Sequence, residues 1–125
     1  MTNVLALDIG TRRTGVAFVD AHTDVPVSME TLKHTSEDEL VARVLDIARE
    51  RACDSCVVGL PLLPDGTEGS QVEIVKNIAQ KLENNGLEVS FIDERYTTQG
   101  IPGVDGDAVA ACALLNLYLE RRKSI

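Results

Sequence analysis

The stretch Val4-Leu5-Ala6-Leu7-Asp8-Ile9-Gly10-Thr11-Arg12-Arg13-Thr14-Gly15-Val16-Ala17-Phe18-Val19 holds two apolar runs separated by a polar break. Runs of this length and composition predict two strands, 4–9 and 14–19, folded back on each other through a turn at Gly10–Arg13. Asp8 does not fit the first run, because a charge inside an apolar strand is costly unless something pairs with it. With Gly10, Thr11 and Gly15 it forms D-x-G-T-x-x-x-G, a tight turn whose backbone amides can approach an anion. An aspartate that merely caps the hairpin turn gives the same local pattern, so both readings stand at this point.

Working outward, Val25–Leu32 has strand character, with Pro26 near its start, which suits a sheet edge. The period then changes. Ser36-Glu37-Asp38-Glu39 has the spacing of a capping box, followed by Leu40, Val41, Val44, Leu45 and Ala48 at helical intervals, to about Arg51. Cys56–Leu60 is a short apolar strand, and 61–69, with two prolines and two glycines, is a loop. Ser70 and Glu73 repeat the capping spacing ahead of Val75, Ile78, Ala79 and Leu82, and Asn85-Gly86 ends that helix. Leu87–Ile92 is a strand. After an irregular segment, Asp107 opens a last helix to about Arg122, burying Ala111, Leu114, Leu115, Tyr118 and Leu119. The order β-β-β-α-β-α-β-α predicts an α/β fold. Its mixed five-stranded sheet joins a three-strand antiparallel meander to two parallel strands, with helices on both faces. Ligands of such sheets gather outside the carboxyl ends of the strands.

The 125 residues fit one domain, 1–125, and 44% hydrophobic content is enough for one core. Twelve Lys and Arg against 20 Asp and Glu leave a net charge of -8, which works against binding phosphates and by itself favours a small-molecule enzyme or protein-binding module. Local charge matters more than the total, and Arg12-Arg13 and Arg121-Arg122-Lys123 are basic runs. The terminal run reads as solvated helix surface. Aromatics are 3% with no Trp, so no stacking platform for bases is evident. Cys53, Cys56 and Cys112 are an odd set without a secretory leader, which predicts a reducing, cytoplasmic setting. A single C-x-x-C pair does not make a structural zinc site, and ordinary thiols beside a strand are expected. His22 and His34, alone among polar residues, are expected at the surface. No run approaches the ~20 apolar residues that cross a bilayer, so no membrane partner is expected.

Two further acidic positions stand out. Asp93-Glu94-Arg95 puts carboxylates and a guanidinium at a strand end, where Arg95 can clamp a phosphate or fix an acid. A surface salt bridge is the plainer account. Asp107 sits where the last helix begins, a favoured place for a capping aspartate. Three acids from distant positions nevertheless suit a hard cation such as Mg²⁺, which takes oxygen ligands and keeps several waters. Two such ions could activate a water and stabilise the leaving oxygen of a phosphodiester.

Four segments carry a resemblance. They are Leu7–Ala17, Val57–Pro61 with Asp65–Gly69, Asp93-Glu94-Arg95-Tyr96-Thr97-Thr98, and Asp107-Ala108-Val109-Ala110-Ala111. In this order and over almost the whole chain, the sequence resembles the YqgF/RuvX family, described as Holliday-junction-resolvase-like and linked to pre-16S ribosomal RNA processing. The resemblance implies an RNase H-like fold and a metal-dependent endonuclease using Mg²⁺ or Mn²⁺. By position it implies Asp8, Glu94 and Asp107 as catalytic acids and metal ligands. Thr11, Arg12, Arg13 and Arg95 are the substrate-binding candidates, and the partner is structured RNA or branched DNA. The connection between Thr98 and Asp107 is shorter than in relatives, which leaves a homodimer open through an exposed apolar face. That connection and the acidic charge also support a second reading, a nucleic-acid- or ribosome-associated binding module with little catalysis. A third, an actin-like or sugar-kinase-like phosphate binder, normally needs two such domains around a cleft.

Overall fold

The computed structural model describes residues 3–23, 25–61, 69–93 and 106–123, the side chains of Asp93, 106–110 and 120–123 excepted. Strands β1 (Asn3–Ile9) and β2 (Arg13–Val19) form the expected hairpin, antiparallel from Val4–Val19 to Ile9–Thr14. The Gly10 N–H donates to the Arg13 carbonyl at 2.9 Å, closing the turn. A Cβ on residue 10 would lie 2.5 Å from that same oxygen, so only glycine allows this approach.

The run expected as one strand over 25–32 pairs with β2 in two pieces. These are β3 (Pro26–Ser28) against Ala17–Val19, and β4 (Leu32–Lys33) against Arg13–Thr14. Met29 still donates to the Val16 carbonyl at 2.8 Å before the chain steps away and pairs again. Among the described residues the sheet therefore has six strands rather than five. An edge run whose Val25 and Val27 stay exposed gains too little burial to hold one continuous register.

Helix α1 (Glu37–Glu50) starts as its sequence predicts, with Ser36 Oγ accepting from the Glu39 N–H at 3.1 Å. The return half of the box is displaced by one residue, since the Glu39 carboxylate accepts from the N–H and hydroxyl of Thr35. Ala52 follows with φ of 53°, a left-handed position held by a residue other than glycine. β5 (Cys53–Leu60) pairs parallel with β1. Helix α2 (Ser70–Asn84) departs from expectation at its start: Gly69 is the cap, Ser70 is already helical, and no side chain caps it. Asn85 ends it and Gly86 takes φ of 99°, as the Asn-Gly pair predicted. β6 (Glu88–Asp93) pairs parallel with β5, and α3 spans Gly106–Lys123. The order across the sheet is β3-β2-β1-β5-β6, with β4 also on β2.

Strand alternation splits the core into two layers. Leu5, Leu7, Ile9 and Val58 pack with Leu40, Val44, Val75, Ile78 and Leu82 of α1 and α2. Val4, Ala6, Ala17 and Val57 pack with Ala111, Leu114, Leu115 and Leu119 of α3. Helices thus cover both faces, as expected. Cys53 and Cys56 are free and buried in the first layer. Burial pushes their thiols up to about 11 and about 12, which disfavours the thiolate that redox chemistry needs. Cys112 is half-buried against the α3 layer. His22 is exposed, as expected, but His34 is not. It is buried, with Nε2 2.9 Å from Thr14 Oγ1 and its N–H donating to the Arg12 carbonyl. Its neighbours in sequence are polar, but β4 draws it beneath the hairpin.

Candidate active-site edge

β1, β5 and β6 run parallel, so their carboxyl ends share one edge of the sheet. Asp8 lies there on the central strand, one residue before β1 ends. Its partner across β2 is Gly15. On the other side Leu7 pairs with Val58, so the next row brings Asp8 level with Gly59, itself paired with Ile92. The carboxylate is therefore flanked on both strands by residues without a side chain. Alternation puts it on the same face as Val4 and Ala6, the face that α3 covers. It is half-buried, and none of the described residues donates a hydrogen bond to it. A hairpin-capping aspartate would spend its oxygens on turn amides, but the turn is closed by backbone, Gly10 to Arg13.

The other candidate acids are placed less fully. Asp93 ends β6 opposite Leu60, one row beyond Asp8. Glu94 comes next in sequence, and it and Arg95 lie outside the described residues. Asp107 is the second residue of α3, which begins at Gly106, and its side chain also lies outside them. Among the described residues no three His, Cys, Asp or Glu side chains converge as a metal-holding group.

Thr11, Arg12 and Arg13 are exposed at the same edge. With Gly10 they line a shallow recess of about 320 Å³. In an acidic chain this puts local positive charge beside Asp8, where a phosphate would approach. Gly15 was already part of the turn motif read in the sequence, but Gly59 was missed as a site feature, because only the strand register shows that it meets Asp8. Among the described residues, no helix is long and apolar enough to cross a membrane.

A family model described as RuvX, Holliday junction resolvase, matches residues 2–102. A protein of Chloroflexus aurantiacus, named as a pre-16S rRNA nuclease, is 32% identical over 135 residues, covering 97% of this chain and 88% of the relative. One of a Polaromonas species, named likewise, is 37% identical over 120 residues, covering 93% of this chain and 86% of the relative. Among solved structures, Thermus thermophilus RuvC superposes with a TM-score of 0.69 at 13% identity, covering 98% of this chain and 96% of that one. That likeness establishes the RNase H-like fold of the resolvases and nothing finer.

Proposed function

The chain belongs to the RuvX family of Holliday junction resolvases, and on that premise we propose that it is a metal-dependent endonuclease cleaving phosphodiester bonds of structured nucleic acid. Precursor 16S ribosomal RNA is the first substrate to test, because the relatives carry that name, and branched DNA is the second. One observation carries the reading. A carboxylate without a hydrogen-bond donor among the described residues stands at the carboxyl edge of the central strand, walled by glycine on both sides and beside an exposed Arg12-Arg13 pair.

That donor chemistry fits a hard cation. Asp8 offers oxygen, the open glycine flanks leave room for waters that Mg²⁺ retains, and no thiol or imidazole stands in the same row to favour a softer metal. Asp8, Glu94 and Asp107 would hold the ion. Ile92, two residues before Glu94 in the sequence, faces the α3 layer as Asp8 does, and Asp107 is the second residue of the helix on that face. When bound, Mg²⁺ or Mn²⁺ would supply an activated water and charge stabilisation at the phosphate. The side chains have simpler tasks. Asp8 offers its carboxylate oxygens at the strand end, Thr11 and the turn amides meet phosphate oxygens, and Arg12, Arg13 and Arg95 neutralise the backbone. A homodimer belongs to the same proposal, and light scattering tests it.

The deciding experiment incubates the chain with precursor 16S RNA and with a four-way DNA junction under Mg²⁺ and Mn²⁺, alongside Asp8→Asn. Metal-dependent cleavage lost in the variant supports the proposal. Retarded bands without product under either metal would replace it with the binding-module reading.

A further inference from the structure

The strand register adds a cation to the face that carries Asp8. Arg13, the first residue of β2, stands directly opposite Lys33, the last residue of β4. Leu32, the residue before Lys33, packs in the layer of α1 and α2. Alternation therefore turns Lys33 and its partner Arg13 to the other face, the face of Asp8 and Ala17. Both are exposed.

By itself this pair harms the fold. Residues directly opposite on antiparallel strands hold their Cβ atoms ~5 Å apart, and like charges there repel. Among the described residues no acid is paired with Lys33. The acids of the first turn of α1 are engaged elsewhere: Asp38 holds Lys81, and Glu39 accepts from Thr35. A lysine also blunts an edge strand, but that use asks for no particular face and no second cation. An anion seated between the two would turn their repulsion into attraction.

The backbone beneath Lys33 is held on every side. Its carbonyl accepts from Arg43 Nη1 at 2.8 Å, and the next N–H, of His34, donates to the Arg12 carbonyl at 2.9 Å. Leu32 and His34 on either side of it are buried, with His34 Nε2 2.9 Å from Thr14 Oγ1. A strand of two residues is thus fixed firmly enough to present a side chain from a set position. β4 lies two strands out from β1, so this position is ~10 Å to the side of the strand that carries Asp8. That is too far to serve the phosphate at Asp8 and near enough to serve its neighbours. We propose that Lys33, with Arg13, holds a backbone phosphate beside the one that is cut, so that the substrate strand leaves Asp8 toward β4. In a chain of net charge -8 a polyanion can approach only where positive charge is concentrated, and Arg12, Arg13 and Lys33 supply it here. This use of Lys33 rests on the nuclease proposal, but its binding test does not.

The test uses the full chain without divalent metal, so that binding is read apart from cleavage. Affinity for an RNA oligonucleotide and for a four-way DNA junction is followed across a range of salt concentrations. Lys33→Gln is expected to weaken binding about three- to tenfold. It should also make the plot of log K against log salt shallower by about 0.7–0.9, the share of one phosphate contact. Lys33→Arg should restore both. Lys81→Gln, on the helix layer across the sheet, should change neither slope nor affinity. The melting temperature of Lys33→Gln should stay level or rise, because a like-charge pair is gone. A single uncharged methylphosphonate linkage, walked along the probe, should at one position cost the wild type as much as the substitution does and cost Lys33→Gln nothing further. An unchanged salt slope in Lys33→Gln would overturn the proposal, and so would methylphosphonate losses that add in full to the substitution at every position. A wild type that binds neither probe would overturn it as well. If the wild type binds but cleaves nothing once Mg²⁺ or Mn²⁺ is added, the nuclease reading fails and the salt slope still decides Lys33.

Discussion

Replacing Gly10 by alanine should open the turn that joins β1 to β2 and disable the edge around Asp8. The new Cβ would sit 2.5 Å from the Arg13 carbonyl oxygen, which is backbone and cannot rotate aside. Relief requires the turn to widen, which breaks the 2.9 Å Gly10–Arg13 hydrogen bond, worth about 1 kcal/mol. The forced backbone shift adds ~1–3 kcal/mol, as other overpacked sites do. Alanine returns roughly 0.4–1 kcal/mol by restricting the unfolded chain. A net loss of about 1–3 kcal/mol follows from these magnitudes, or roughly 4–12 °C in melting temperature for a domain of this size. Urea denaturation should show a lower midpoint at unchanged slope, and metal-dependent cleavage should fall further than the loss of folded protein explains. Gly86→Ala is the control. Nothing lies within 4 Å of a Cβ there, and only its φ of 99° is strained, so it should cost stability but not the activity of the folded fraction. A Gly10→Ala protein with an unchanged midpoint and unchanged protection of the Gly10 amide would refute the reasoning.

Other outcomes can be checked with the same assays. Asp8→Asn should abolish cleavage under Mg²⁺ and Mn²⁺ while leaving the melting temperature level or raised, since the carboxylate has no protein donor to lose among the described residues; undiminished cleavage would remove it from the site. Asp107→Asn should weaken Mn²⁺ binding by calorimetry more than it lowers stability, and the reverse would make it a helix-terminal acid only. Ala52→Gly should stabilise by about 0.5–1 kcal/mol, because the left-handed φ of 53° costs alanine more than glycine, and a lower denaturation midpoint would contradict this. Burial holds the pKa of His34 below its ordinary 6.5, so the folded state disfavours its proton. Stability is complete above pH 6.5 and falls as the pH drops below it, until His34 itself titrates in the folded state; His34→Gln should flatten that limb of a pH–denaturation curve.

The elements were legible in the sequence wherever one period ran long enough. The hairpin at 4–19, the three helices and the two crossover strands all follow from apolar spacing and turn residues, and so does the prediction that helices cover both faces. Local chemistry was less decisive at element ends. Ser70 and Glu73 have the spacing of a cap that Ser36 and Glu39 realise only in part, because a cap depends on backbone angles that the residue names do not carry.

Asp8 could be singled out from the sequence because a charge in an apolar run is anomalous wherever the run folds. What surrounds it could not, since strand pairing joins residues far apart in the chain. Only the register brings Gly15 and Gly59 to its two sides and draws His34 under the hairpin. Only the tertiary structure leaves a Glu37 oxygen shut in without a donor. Periodicity along a chain is a local property that residue order specifies. Proximity across a sheet is set by which strands pair and in what register, and tertiary burial selects both.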